Sequence, residues 1–189
     1  MKFSEKSNIS ESRYFIAILP TDKLQQRIDA IKNDISQKYH TRGAFRSPAH
    51  ITLQMPFILK DKKLNGLEET LQNFSKKRKP FNVQLYGFEV FEPRVLFIKV
   101  IKSQELSKLQ AALKRPLMAY QIFNSSYKNH GFTPHITVAF RDLKKQHFYE
   151  AWQAYKSVPF DESFLAEGLT LLKHDGKIWK EYAFFSFGE

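Results

Sequence analysis

The sequence predicts an α+β fold of two pseudo-symmetric lobes of antiparallel sheet, with helices packed outside and the motif strands facing a central cleft. The tripeptide His-Ile-Thr occurs twice, and its histidines, His50 and His135, stand 85 positions apart. A strand-like apolar run precedes each copy at a similar distance, 35 positions from Phe15 and 38 positions from Phe97. A strand, a helix and a second strand therefore recur in order, which indicates an internal duplication with too few copies for a solenoid.

The first half of the chain supplies one strand–helix–strand unit. The run RYFIAIL at 13–19 is typical of a buried strand, and Pro20 ends it. Apolar residues then recur at helical spacing through position 35, with Thr21 or Asp22 as the N-cap. The elements predicted after this helix are a strand at 50–53, a helix at 65–74, and strands at 81–91 and 94–101 separated by a turn near Glu92-Pro93.

The second half repeats this order. Apolar residues three and four positions apart predict a helix at about 104–122, and the run HITVAF predicts a strand at 135–140. A helix is predicted at 144–155, and two strands are predicted at 164–173 and 179–187. Asp175-Gly176 lies between these last strands and is a hairpin signal.

Composition indicates a single folded domain. Hydrophobic residues make up 42% of the 189-residue chain, which is enough for a substantial core, and 18 phenylalanines make that core aromatic. We expect residues 1–12 to form a flexible tail and residues 13–189 to form one bilobal domain. The absence of cysteine excludes disulfides and thiolate chemistry. With no signal-peptide pattern and no apolar stretch of transmembrane length, we expect a cytoplasmic protein without membrane association.

The charge balance favours polyanionic partners. The formal net charge is +11, and nucleic acid or a phosphate substrate is the first partner that such a surplus suggests. Ordinary surface charge is the alternative. The basic runs at 60–63 and 76–79 are typical of solvated faces, although they could also attract RNA.

The two His-Ile-Thr motifs carry the chemistry that the sequence predicts. Successive side chains of a strand point to opposite faces, so each histidine shares a face with its threonine, Thr52 or Thr137, while the isoleucine faces the core. If the two polar faces meet across the cleft, one imidazole can act as base and the other as acid on a phosphate ester. The threonine hydroxyls can donate to nonbridging phosphate oxygens, and neither a metal nor another cofactor is required.

A structural role is the alternative for each motif taken singly, because histidine and threonine on a partly exposed strand need no function. The duplication argues against it, since both copies occupy corresponding points of corresponding units. Metal binding is the weaker interpretation, because zinc takes three or four His, Cys or carboxylate ligands. His130 and His174 could in principle join such a site, whereas His40 and His147 are typical of surface residues at helix ends.

On these residues the chain resembles the two-histidine phosphoesterase superfamily, and in particular the bacterial 2′-5′ RNA ligases or RNA 2′,3′-cyclic phosphodiesterases. The motifs HITL at 50–53 and PHITVAF at 134–140 carry the resemblance, together with the spacing before each. It implies a two-lobed α+β fold and metal-free action on 2′,3′-cyclic phosphates or 2′-5′ linkages. It also implies that His50 and His135 form the acid–base pair, with the first as proton donor, and that Thr52 and Thr137 bind phosphate.

Further contacts with substrate are predicted around the motifs. In this chain the first motif continues into QMPF, and an arginine follows the second motif one position later than in many relatives. Cationic side chains could contact phosphate, and aromatic side chains could stack on a base or pack in the core. The cationic candidates are Arg46, Lys128 and Arg141, and the aromatic candidates are Phe57, Tyr127, Phe132 and Phe140.

The sequence therefore predicts a metal-independent phosphodiesterase that acts on RNA ends or on cyclic nucleotides, without an obligate protein partner. One alternative is a hydrolase specific for a small cyclic nucleotide such as an ADP-ribose cyclic phosphate. Another is a basic RNA-binding module without turnover. The intact motif pairs argue against the second alternative, since binding alone needs no acid–base pair.

Overall fold

A computed structural model describes residues 10–124 and 131–188, which form two four-stranded antiparallel sheets and flanking helices. The strands are β1 (Glu11–Ile18), β2 (Ile51–Lys60), β3 (Phe81–Phe91), β4 (Val95–Val100), β5 (His135–Ala139), β6 (Asp161–Ala166), β7 (Gly168–His174) and β8 (Trp179–Ser186). The α-helices are α1 (Asp22–Tyr39), α2 (Leu64–Lys76), α3 (Gln104–Leu117) and α4 (Lys145–Tyr155). None of the helices in this part of the chain is both long and apolar enough to cross a membrane.

The order of strands shows the duplication. The first sheet runs β2-β1-β7-β8 and the second runs β5-β4-β3-β6. The units β1–α1–β2 and β4–α3–β5 therefore place their strands at equivalent positions, with β2 and β5 at the sheet edges. The predicted α+β class with two similar antiparallel lobes is confirmed.

Each repeat sends its helix to the other lobe. Helix α1 packs against β5 and α4, although the strands on either side of it belong to the first sheet. Helix α3 packs against β2 and α2, although its flanking strands belong to the second sheet. Arg27 of α1 forms an ion pair with Glu162 of β6, and Tyr155 of α4 donates a 2.5 Å hydrogen bond to Asp34 of α1. The lobes consequently share one large hydrophobic core.

Strand β1 shows how the two faces of a sheet are used. Tyr14, Ile16 and Ile18 are buried in the main core between sheet and helices. Phe15 and Ala17 alternate with them and belong to a small separate cluster on the opposite face. The strand is therefore apolar on both faces, and its second face is the one that approaches the first motif.

The single strand predicted at 164–173 is wrong. The chain leaves the second sheet after Ala166, where β6 pairs with β3, and enters the first sheet at Gly168, where β7 pairs with β1. A Cβ at Gly168 would lie 2.4 Å from the carbonyl oxygen of Phe185, so only glycine fits this close approach. Both halves of the run are apolar, so periodicity alone does not reveal the change of sheet.

The predicted helix at 104–122 ends early. Helix α3 stops at Leu117, one residue after Pro116, and a short 3-10 turn follows at Met118–Tyr120. Proline lacks the N–H that an inner helical turn requires, and Gln121 adopts a left-handed conformation with φ of 60°. The hairpin predicted at Asp175-Gly176 is confirmed between β7 and β8.

Candidate active site

Both His-Ile-Thr motifs lie at the start of an edge strand. His50 immediately precedes β2, and His135 is the first residue of β5. Ile51 and Ile136 are fully buried, whereas the histidine and threonine of each motif retain part of their exposure. Strand alternation produces this pattern, because each isoleucine anchors its strand in the core while the polar pair lies on the other face.

The fold brings the two motif strands together. Strands β2 and β5 contact each other between the lobes, with Cα atoms within 8 Å. The motifs pair with their neighbouring strands in different registers, since Thr52 lies opposite Ala17 of β1, two residues after Phe15, whereas Thr137 lies opposite Phe97 of β4. The edge strands that carry the motifs therefore lie next to each other where the two lobes meet.

A backbone carbonyl holds each histidine ring in place. Nδ1 of His50 lies 2.8 Å from the carbonyl oxygen of Pro48, and Nδ1 of His135 lies 2.7 Å from that of Thr133. A carbonyl oxygen only accepts hydrogen bonds, so Nδ1 carries the proton in both neutral rings. Nε2 of each ring is therefore the nitrogen that takes up or releases a proton.

Each imidazole also packs against a phenylalanine of the neighbouring strand. The ring centroids of Phe15 and His50 are 4.8 Å apart, and those of Phe97 and His135 are 5.0 Å apart. Phe91 makes an edge-on contact with His135 at 4.9 Å. Phe15 and Phe97 occupy equivalent positions in the two repeats, so the aromatic support of the histidines is duplicated along with the motif.

Burial lowers the pKa of both histidines. The pKa of His50 falls to about 4, because desolvation by the surrounding protein outweighs the hydrogen bond to Pro48, and the positive charges of Lys32 and His135 lower it further. The pKa of His135 is also lowered by burial, against the effect of its hydrogen bond to Thr133. Both rings are therefore predominantly neutral at pH 7 in the free protein.

Helix α1 holds the segment that leads into His50. Gln25 donates from Nε2 to the carbonyl oxygen of Ala49 at 2.7 Å and accepts at Oε1 from the N–H of Ala49 at 2.8 Å. This two-point pairing satisfies both backbone groups of a buried residue next to the histidine. Nothing in the local pattern of the sequence distinguishes Gln25 from a surface residue.

Lys32, also on α1, lies close to the same segment. Its side chain is only 2% exposed, forms an ion pair with Asp29 at 2.9 Å, and has Nζ 3.5 Å from the carbonyl oxygen of Ser47. A buried lysine is rare and needs such partners. The sequence did contain a signal, because Lys32 occurs four positions after Ile28 on the apolar stripe of the helix.

Asp142, just after β5, ties the two motif regions together. Its carboxylate accepts hydrogen bonds from the Thr41 hydroxyl at 2.5 Å and from the N–H groups of Arg42 and Gly43 at 2.8 and 3.0 Å. Burial raises the pKa of Asp142, but these hydrogen bonds outweigh it and hold that pKa below its usual value. A Cβ at Gly43 would lie 2.1 Å from the carbonyl oxygen of Phe140, so glycine permits the close approach.

Lys99 is a cationic residue beside the second motif and was not among the predicted phosphate contacts. It lies directly opposite His135 in the β4–β5 register and therefore shares its face. Its ammonium group pairs with Glu89 at 2.6 Å. The signal was a single lysine inside the apolar run LFIKV of β4.

Two cationic candidates from the sequence lie near the motifs in the chain. Arg46 is exposed at the end of the 3-10 turn Gly43–Arg46, before His50. Arg141 is exposed, has φ of 68°, and places its guanidinium carbon 5.4 Å from the centroid of the Phe140 ring. Their contact with phosphate stays a prediction, and the candidate Lys128 lies outside the described residues.

The aromatic candidates differ in exposure. Phe57 packs against the main core, with its ring centroid 6.2 Å from that of Tyr14, and Phe132 also packs against the core. These contacts favour the packing interpretation over base stacking. Phe140 is 38% exposed. Tyr127 lies outside the described residues.

The remaining histidines do not build a metal centre with the motifs in the described structure. No group of three His, Asp or Glu side chains within 10–124 and 131–188 is arranged to hold a metal ion. His174 contacts Trp179, and the rings of His40 and His147 lie 6.0 Å apart near the end of α1. His130 lies outside the described residues.

The two-lobed fold and the duplicated motifs define a phosphoesterase of the two-histidine class. Residues 20–178 match the family described as the 2′-5′ RNA ligase superfamily. The chain belongs to this family.

Relatives and solved structures agree with this assignment. A protein of Bacillus pumilus, provisionally named a phosphoesterase, is 26% identical over 180 residues, which cover 94% of this chain and 98% of the relative. A protein of Bacillus licheniformis, provisionally named in the same way, is 29% identical over 129 residues, which cover 67% of this chain and 70% of the relative. The structure of E. coli LigT complexed with 3′-AMP is similar with a TM-score of 0.72 at 18% identity, covering 95% of this chain and all of that one. The protein is a phosphoesterase by family, and the last comparison supports its fold.

Proposed function

We propose that the protein is a metal-independent phosphodiesterase that acts on 2′,3′-cyclic phosphates or 2′-5′ linkages of RNA or nucleotides. The observation that carries this proposal is the matched setting of His50 and His135. Each ring commits Nδ1 to a backbone carbonyl, packs on an equivalent phenylalanine and keeps Nε2 for a substrate. A purely structural histidine would not need this arrangement to be duplicated in both repeats.

The reaction requires one neutral imidazole and one imidazolium. Nε2 of the neutral ring takes a proton from water while the water oxygen attacks phosphorus. The bond from phosphorus to one ribose oxygen breaks, and that oxygen takes the Nε2 proton of the imidazolium. A cyclic phosphate thereby becomes a nucleoside phosphomonoester, and exchange with solvent restores the starting protonation of the two rings.

We assign the base to His50 and the acid to His135. Burial opposes a proton on both rings, and a hydrogen bond to a backbone carbonyl favours one on both. The positive charge of Lys32 opposes a proton on His50 in addition. A single proton shared by the pair should therefore reside mainly on His135. This order is opposite to the one that the family resemblance implies, so it needs a direct test.

A change of leaving group provides that test. A 4-nitrophenolate group leaves without a proton, so it reduces the need for the acid but not for the base. On a deoxynucleoside 3′-(4-nitrophenyl phosphate), His135→Ala should keep a larger fraction of wild-type activity than it does on a cyclic phosphate. His50→Ala should lose both activities alike. The reverse pattern would assign the acid to His50.

Neighbouring groups can stabilise the phosphate. Thr52 and Thr137 share the faces of the histidines, and their hydroxyls can donate to nonbridging oxygens. Lys99, opposite His135 in the sheet, can offset negative charge that develops on the phosphate. The main-chain contacts of both histidines keep these groups in fixed relation to the reacting atoms.

Support for a nucleotide or RNA substrate comes from two sources. E. coli LigT has been crystallised with 3′-AMP, with ATP and with NADP+. The net charge of +11 on the present chain favours a polyanion, which an RNA end supplies more fully than a mononucleotide does.

The direct experiment compares turnover of 2′,3′-cyclic mononucleotides, 2′-5′ dinucleotides, their 3′-5′ isomers and an ADP-ribose cyclic phosphate, with and without chelator. We expect the cyclic mononucleotide or the 2′-5′ dinucleotide to react at the same rate with chelator present. His50→Ala and His135→Ala should each reduce kcat/KM about a hundredfold to ten-thousandfold. The double variant should be little worse than the poorer single variant, because the residues act as a unit.

Three results would contradict the proposal. Turnover of only the ADP-ribose derivative would identify a hydrolase of small cyclic nucleotides. RNA binding without turnover of any substrate would identify a binding module. Activity that is lost with chelator and restored by zinc or manganese would exclude the metal-free mechanism.

A further inference from the structure

An aromatic and basic patch continues from His50 along the first sheet, and the proposed acid–base chemistry does not use it. Phe15, which packs on His50, also meets Trp179 of β8, with centroids 4.8 Å apart and planes at 82°. Trp179 in turn meets His174 of β7 at 4.8 Å. The guanidinium carbon of Arg13 lies 5.3 Å from the Trp179 ring centroid. The Trp179 patch consists of Arg13, His174 and Trp179.

The patch lies on the same face of the sheet as the first motif. Phe15 belongs to a small buried cluster against which Trp179 packs, and this cluster is separate from the main core. Tyr14 and Ile16, the neighbours of Phe15 along β1, are in the main core on the other face. Because the side chains of a strand alternate, Phe15 and the Trp179 patch lie on the face that His50 shares.

The chemistry of the patch fits a nucleobase. Trp179 is partly exposed, and its contacts with Phe15 and His174 are both edge-on, at 82° and 72°. An indole with a guanidinium over its ring combines a surface on which bases stack with a cation that attracts the attached phosphates. A single ring, that of Phe15, separates Trp179 from His50, and one nucleoside can span this distance.

We propose that Trp179 stacks the nucleobase of the nucleoside whose phosphate reacts at the two motifs, with Arg13 and His174 flanking that base. This assignment rests on the proposed function for the position of the phosphate. It adds that the substrate is recognised through its base as well as its phosphate. Stacking on a single indole face favours purines over pyrimidines without selecting one base.

Steady-state kinetics with a substrate that lacks a base isolate the stacking on Trp179. Trp179→Ala should raise KM for adenosine 2′,3′-cyclic phosphate by about fivefold to a hundredfold, the range expected for one base–aromatic stack. It should leave KM for 1-O-methylribose 2′,3′-cyclic phosphate unchanged. Trp179→Phe keeps a ring and should be intermediate. Trp152→Phe, at the chain's other tryptophan on α4, should change neither substrate.

Fluorescence provides a readout that does not depend on turnover. In Trp152→Phe protein, Trp179 is the single tryptophan. Titration with adenosine 3′-monophosphate should quench its emission, whereas inorganic phosphate at matched ionic strength should not. This titration uses native Trp179, so it decides the question even if Trp179→Ala fails to fold.

The outcomes separate the two proposals. Quenching by the nucleotide without turnover of any phosphodiester would retain the base subsite and remove the proposed function. Turnover that depends on both histidines, with equal KM for the two substrates in wild type and in Trp179→Ala, would retain the function and overturn the subsite. Equal responses of Trp179 emission to nucleotide and to phosphate would also overturn it.

Discussion

At the scale of single residues, the chemistry depends on where one proton resides. Both motif histidines are neutral in the free protein at pH 7, because burial lowers the pKa of each. The proposed reaction nevertheless needs one imidazolium. We expect a bound phosphate anion to favour protonation of one ring, since an opposite charge nearby raises the pKa of an imidazole.

The pH dependence of the reaction should show this effect. The profile of kcat/KM reports the free enzyme, so its bell should have its maximum on the acid side of 6.5, the ordinary pKa of histidine. The profile of kcat reports the complex and should lie at higher pH. Steady-state rates with a cyclic mononucleotide measure both, and coincident profiles would show that bound phosphate does not act on the pair.

Lys32 provides a control for this interpretation. Removing its charge in Lys32→Met should move the acid limb of kcat/KM to higher pH, because one of the positive groups that lower the pKa of His50 is gone. Lys32→Arg keeps the charge and should leave that limb in place. The lowered pKa of His50 also makes the stability of the fold depend on pH. Stability that is fully present above pH 6.5 is lost as the pH falls towards 4, because the unfolded chain takes up a proton that the buried ring does not.

At the scale of elements, helix α1 of the first repeat does two things at once. It packs on the second lobe through β5 and α4, and it holds the loop before His50 through Gln25 and Lys32. Asp142 attaches the start of the same loop to the segment that follows β5. The position of His50 is therefore set by an element that rests on the lobe of the other motif.

Gln25 is accordingly a positioning residue, and its replacement should affect rate more than affinity. Gln25→Leu removes both hydrogen bonds to Ala49 and should cost about 1–3 kcal/mol of stability, since buried polar groups lose their partners. We expect kcat to fall roughly tenfold to a hundredfold through misplacement of His50, with KM nearly unchanged.

The matched control for this change is Gln26→Leu, at an exposed position of the same helix. It should alter neither stability nor rate. Thermal unfolding and steady-state kinetics on both variants distinguish the roles. If Gln25→Leu lowers stability while kcat stays at the wild-type value, the pairing with Ala49 supports the fold but does not position the histidine.

At the scale of the whole molecule, the exchange of helices between lobes unites the two repeats. Because α1 and α3 each pack on the sheet of the other repeat, neither repeat contains its own complete core.

The net charge is also a property of the whole chain, +11 in total. Arg78 in the basic run at 76–79 packs on the Phe74 ring and donates to its carbonyl, so it is partly a structural residue.

The dependence on salt concentration should distinguish electrostatic attraction of RNA from the catalytic step. Neutralising the exposed Lys76, Lys77 and Lys79 together, with Arg78 retained, should weaken binding of an RNA oligonucleotide and reduce its salt dependence. The rate with a cyclic mononucleotide should stay near wild type, because few charges are engaged. Thr52→Ala and Thr137→Ala should slow both substrates alike. Equal salt effects on the two substrates would show that the basic surface serves solubility and would favour a small nucleotide substrate.

The sequence by itself determined the α+β class, the duplication and the two motif strands, because strand and helix periods and the spacing of a repeated tripeptide are local properties. The placement of each isoleucine in the core beside its histidine likewise follows from strand alternation. The predicted boundaries of strands were less accurate where a single residue decides them. Gly168 is such a residue, because its close approach to another strand is not visible in an apolar run.

The tertiary structure alone decided which distant residues surround the motifs. Gln25, Asp142 and Trp179 reach the site or its supports through contacts between elements far apart in the chain, and no local period encodes such contacts. The exchange of α1 and α3 between lobes is likewise hidden, because an amphipathic helix buries its apolar stripe equally well on either sheet. The lowered pKa of His50 depends on burial and on Lys32, and both exist only once the chain has folded.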